Sequence, residues 1–106
     1  MKLIKEYLNE LKSLKADEVN GRSVSDISNN FYAKARDNKL GDEAELKKLL
    51  DFMIDVNEVA YAYDRSKING TNLVNEIGDM HYDFKKATQK ELKIKMAETF
   101  KEVFKF

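Results

Sequence analysis

The sequence predicts an all-α protein, an antiparallel bundle of four to five helices in a single domain spanning residues 1–106. Three observations predict it. The 106 residues contain no Pro and only four Gly, so little in the chain forces a helix to stop. Apolar residues recur at three- and four-residue steps, and no stretch alternates with period two. Helix-capping and turn residues stand close together, so connections are short and successive helices are antiparallel neighbours.

Leu3, Ile4, Tyr7, Leu8, Leu11 and Leu14 line one side of a first helix over residues 2–15. A turn over Asp17 to Arg22 follows, containing Asn20-Gly21. Val24, Ile27, Phe31 and Ala35 mark a second, weaker helix over 24–37, and Leu40-Gly41 breaks the chain. Asp42 caps a third helix, with Glu45 as its capping-box partner. Leu46, Leu49, Leu50, Met53, Val56, Ala60 and Tyr63 form its main apolar face, and it runs to Lys67 before Asn69-Gly70 ends it. At 1.5 Å per residue this helix spans about 40 Å, long for a lone small domain, so a second subunit is expected against it. Thr71 caps a fourth helix over 72–87, with Leu73, Ile77, Met80 and Phe84 on one face. Thr88 and Glu91 form a capping box for a fifth, which carries Leu92, Met96, Phe100 and Val103.

Composition excludes several function classes. Without Cys there is no disulfide framework, thiolate metal site or thiol nucleophile. No apolar run approaches the roughly 18 residues of a membrane span, and the charged start is not a secretory signal. A cytoplasmic protein without membrane contact is expected. The 19 basic and 19 acidic groups cancel, which leaves no global attraction to nucleic acid. The lysines 85, 86, 90, 93 and 95 are spread around two helices without interleaved exposed aromatics, which also argues against nucleic acid.

The balance is uneven along the chain. Residues 1–41 carry eight basic and six acidic groups, residues 42–83 four basic and ten acidic, and residues 84–106 seven basic and three acidic. Asp55 and Glu58 share a face of the third helix at i, i+3, and Glu76 and Asp79 repeat that spacing on the fourth. With the turn at Asn69 as fold point, Asp55 and Glu58 fall at heights matching Asp83 and Asp79. Facing rows of carboxylates repel unless a cation lies between them, and Mg²⁺ prefers such oxygens. On the helical wheel Asp51, Asp55 and Glu58 lie opposite Met53, Val56 and Ala60, which also fits a plain solvated face. However, Phe52 and Val59 on one flank and Ile54 and Tyr61 on the other make this helix apolar around most of its circumference. It is therefore expected to be largely buried, and its acids to need partners.

The stretches Phe52-Met-Ile-Asp-Val-Asn-Glu-Val-Ala-Tyr-Ala62 and Leu73-Val-Asn-Glu-Ile-Gly-Asp-Met80 resemble the MazG-like family of all-α nucleotide pyrophosphohydrolases. Its superfamily also includes the dimeric dUTPases. The family pattern is an ExxE pair on one helix and an ExxD pair on the next, each among apolar residues. The likeness covers residues 46–87, and Asp55 stands where the pattern has its first Glu.

The resemblance implies that Asp55, Glu58, Glu76 and Asp79 hold Mg²⁺ and that Glu58 and Glu76 are catalytic. The activity it implies is attack of water between the α- and β-phosphates of a nucleoside triphosphate, releasing pyrophosphate and a nucleoside monophosphate. Arg65, Lys67, Lys85 and Lys86 are then candidate nucleotide-phosphate contacts, and the assembly a homodimer or tetramer. Read as ordinary surface groups, the same cations are helix-end residues favoured by the dipole. A second reading, from small size, charge-rich surface and the Asp55 departure, is a non-catalytic helical module that binds a protein partner, of the inhibitor or immunity type. The lone His81 reads as a packed side chain before it reads as an acid or base. Tyr61 and Tyr82 read as packing residues before base-stacking ones.

Overall fold

The computed structural model describes residues 2–73, 76 and 89–104, with main chain alone over 89–96. Among these residues Leu73 and Glu76 are helical, and four α-helices and one 3₁₀ turn have defined bounds. They are α1 (Lys2–Leu11), the 3₁₀ turn Ala16–Glu18, α2 (Gly21–Asp37), α3 (Glu43–Asn69) and α4 (Gln89–Phe104). The all-α expectation holds, with no strand among the described residues. Of the helix expected over 72–87, all but Asn72, Leu73 and Glu76 lies outside the described residues, as does its neighbour Thr88.

α1 stops a turn earlier than its apolar spacing suggests. The Ser13 hydroxyl donates to the Glu10 carbonyl at 2.6 Å, and the Leu14 N–H turns to Leu11 instead. A short hydroxyl side chain competing for backbone groups ends the helix here. α2 starts earlier than expected. Asn20 does not turn the chain away but caps it: its side chain accepts from the Ser23 N–H at 2.8 Å, and the Ser23 hydroxyl accepts from the Asn20 N–H at 3.0 Å. α2 closes with Lys39 in the left-handed region at φ 51°, where the Leu40 N–H reaches back to Ala35 at 3.0 Å.

α3 begins at the expected cap, with the Asp42 carboxylate accepting from the Glu45 N–H at 2.8 Å, but the Glu45 side chain does not return the bond that a capping box requires. It ends at Gly70, whose φ of 70° costs glycine nothing. The molecule is 41 Å along its longest axis, about the length of this one 27-residue helix.

α2 and α3 run antiparallel. The Gly21 N–H donates to Asp64, and Ser28 meets Asn57, so residues later in α2 pair with residues earlier in α3. α1 and α4 close the other sides. Leu3, Tyr7 and Leu11 from α1 meet Val24 and Phe31 of α2, Leu49, Met53 and Val59 of α3, and Phe100 and Phe104 of α4 in one core. Tyr7 sits at the centre with its ring 5.8 Å from Phe31 and 6.0 Å edge-on to Phe52.

One expectation fails. α3 is not buried around most of its circumference: Leu50 is 39%, Ile54 46%, Tyr61 45% and Ile68 82% exposed. At 100° per residue these four lie on one line along the helix. α2 runs beside the strip, against Asn57 and Asp64, and its Gly21 lies under the Tyr61 ring, while the outer part of the strip stays exposed although its composition is apolar.

Candidate functional site

Each acid of α3 is placed by the helix rotation. Asp51 is exposed, while Asp55 and Glu58, on the edge facing the core, are half-buried. Asp55 borders an apolar cavity of about 240 Å³ between α1, α3 and α4. Leu8 and Leu11 come from α1, Phe52, Val56 and Val59 from α3, and Thr99, Phe100, Val103 and Phe104 from α4. Burial pushes the Asp55 carboxyl above its ordinary value, and the charges of Asp51 and then Glu58 push it further. Among the described residues the ion pairs are Arg36 with Asp37 and Arg65 with Glu76, so neither involves this acidic strip.

Glu76 has a different environment. It is buried, and its Oε1 accepts from the Thr71 hydroxyl at 2.6 Å and the Asn69 amide at 3.1 Å. The Arg65 Nε lies 3.6 Å from Oε2. The Thr71 and Asn69 hydrogen bonds hold its carboxyl below the usual value, and Arg65 adds attraction against the opposing effect of burial. Glu76 thus fastens the segment after Gly70 to the end of α3. Thr71, read from sequence as a helix cap, donates its hydroxyl proton to this carboxylate, and Val74, whose N–H such a cap would hold, lies outside the described residues.

The predicted site residues are therefore brought together only in part. Asp55 and Glu58 share one edge in mid-helix. The partners of Glu76 begin at Arg65, ten residues beyond Asp55, or about 15 Å along the axis. Asp79, Lys85 and Lys86 lie outside the described residues. Arg65 and Lys67 have intramolecular roles: Arg65 faces Glu76, and the Lys67 ammonium sits 4.3 Å from the centre of the Tyr63 ring. Among the described residues no three His, Asp or Glu side chains converge as a metal group. Both Glu76 oxygens are engaged within the chain, which leaves Asp55 and Glu58, of the predicted metal ligands, without an ion pair among the described residues.

Sequence reasoning missed the cavity. Its lining residues are ordinary core positions of three separate helices, and only packing reveals a gap among them. It also missed the exposed row on α3. The signal was present there, since Leu50, Ile54, Tyr61 and Ile68 step by four, seven and seven residues, the seam of a coiled coil. No helix among the described residues is long and apolar enough to cross a membrane. Comparison of the chain with protein-family models, curated proteins and solved structures gives no match.

Proposed function

We propose that this chain is a non-catalytic helical binding module whose outward α3 face docks a helix of another protein, as an inhibitor or immunity-type protein would. The observation that carries the reading is the apolar row Leu50, Ile54, Tyr61 and Ile68 along one line of α3, each partly exposed, with the Tyr61 ring resting on Gly21 at the row's inner edge. Large side chains scattered singly on a surface need no explanation, but an aligned row is what a helical partner buries. Lys47, Asp51 and Glu58 flank the row on one side, where charges select a partner and its direction. The engagement of Glu76, Arg65 and Lys67 within the chain also favours this reading.

A photo-crosslinking residue at Ile68, in the organism of origin, tests it. A discrete adduct is expected that is absent with the crosslinker at exposed Lys5 and lost on Ile54→Asp. No adduct, together with pyrophosphate release from a nucleoside triphosphate, would overturn it.

The half-buried pair Asp55 and Glu58 favours a second reading, the Mg²⁺-dependent nucleotide pyrophosphohydrolase, acting as a homodimer or tetramer. It requires Glu76 to exchange its present donors for metal and Asp79 to join it. Millimolar Mg²⁺ should then raise the melting temperature, because a ligand bound only by the folded state stabilises it. Glu58→Gln should abolish both the rise and the turnover.

A further inference from the structure

We propose that the cavity between α1, α3 and α4 binds a small amphiphilic amine, with its apolar body among Leu8, Phe52, Val59, Phe100 and Phe104 and its ammonium on the Asp55 carboxylate. The cavity measures about 240 Å³. It is about half open to solvent, and an enclosed apolar cavity of about 150 Å³ takes up benzene, so this one has room for a ring with a short chain attached. Among the described residues its walls are side chains of the core, apart from Thr99 and one ionisable group, Asp55. Apolar walls with one placed charge are the usual make-up of a small-molecule site, in which the charge fixes orientation.

The charge decides the class of ligand. Asp51 precedes Asp55 by one helical turn and Glu58 follows by one, so three carboxylates lie along one edge of α3, and Asp55 is the one that borders the cavity among the described residues. Asp55 makes no hydrogen bond or ion pair among the described residues. A neutral hydrocarbon would fill the space and leave this repulsion in place. An anion of the same size would add to it. A primary ammonium relieves it and supplies three donors to the carboxylate. The proposal is independent of the α3 docking face, because Leu50, Ile54, Tyr61 and Ile68 are not among the cavity walls.

Calorimetric titration of the whole chain with 2-phenylethylamine, ethylbenzene and 3-phenylpropionate tests it. The amine should bind roughly tenfold tighter than either of the others, the size expected for one charge-assisted hydrogen bond. Asp55→Asn, near-isosteric at a half-exposed position, should erase the advantage while the melting curve shows a folded protein. In the unmodified chain, rising salt should narrow the gap between amine and hydrocarbon, which keeps the test valid if the variant does not fold. No binding of the amine at millimolar concentration, equal binding of all three probes, or an amine affinity indifferent to both Asp55→Asn and salt overturns the proposal.

Discussion

The Tyr7 hydroxyl lies 2.6 Å from the Ser28 Oγ in the interior, joining α1 to α2 through a polar contact. Ser28 in turn meets the Val24 carbonyl at 2.9 Å and Asn57 of α3 at 3.1 Å, so three helices share one buried hydroxyl. A phenol in such a place must satisfy its oxygen, and a serine is the smallest side chain that does so. Burial raises the Tyr7 pKa to about 12, against the lowering effect of the Ser28 hydrogen bond.

Tyr7→Phe should cost about 1 kcal/mol, because Ser28 keeps its other partners and only one hydrogen bond is lost. Urea unfolding measures it. Tyr7 also sets an alkaline limit. Its folded pKa lies above the unfolded value of 10.0, so its contribution is complete below pH 10 and is lost as pH rises through about 12. The variant should show a flatter stability profile in that window.

Gly21→Ala should destabilise by about 1 kcal/mol, since overpacking costs more than the gain in helix propensity returns. A Cβ at Gly21 would overlap the Tyr61 ring, and the Gly21 N–H is held by Asp64 at 2.7 Å, which keeps the backbones close. In a Tyr61→Ala background the same change should become neutral or favourable. A double-mutant cycle with no coupling between the two positions would contradict this contact.

Lys39→Gly should raise stability by up to about 1 kcal/mol. Lys39 pays for a left-handed φ of 51° that glycine adopts without steric cost. Thermal melting of the two proteins at equal concentration is sufficient to check it.

Asp55→Asn should stabilise the protein at neutral pH by a modest amount, about 0.5 kcal/mol once the water reaching this half-exposed group is allowed for. The folded pKa is raised above the unfolded 3.8, so in the native protein stability falls as pH rises through that window. The gain from the variant should therefore vanish in acid, where the carboxyl is protonated in both states.

Glu76→Gln should act in the opposite sense. The Glu76 carboxyl is held below its unfolded value of 4.5, so its contribution is complete above that value and disappears as pH falls through the lowered one. The native protein should lose stability over this acid range, and the variant, already weaker at neutral pH, should lose less. Parallel pH profiles of the two would show that Thr71, Asn69 and Arg65 do not hold the carboxylate as described.

Much of the fold was legible in the sequence because helix signals are local. Asp42 and Gly70 bound α3 through their own chemistry, and the spacing of Leu3, Tyr7 and Leu11 marked the buried side of α1. Errors came where two local signals competed. Asn20-Gly21 read as a turn because both residues favour turns, yet Asn20 is also a good cap, and the close packing of Gly21 against Tyr61 settled the choice. Ser13 likewise ended α1 through a side-chain bond that apolar spacing does not register.

The candidate site was less legible. That Asp55 and Glu58 share a helix edge follows from a 3.6-residue repeat and needs no tertiary information. Which groups meet them does not follow, because it depends on the docking of elements far apart in the chain. Only the packed molecule placed Glu76 against Arg65, Asn69 and Thr71, left Leu50, Ile54, Tyr61 and Ile68 partly exposed, and opened a cavity beside Asp55. Sequence by itself determined the helices and the residues on each face, since backbone geometry fixes those. Tertiary structure decided which faces were covered and which charges were satisfied, since both depend on the distances between helices.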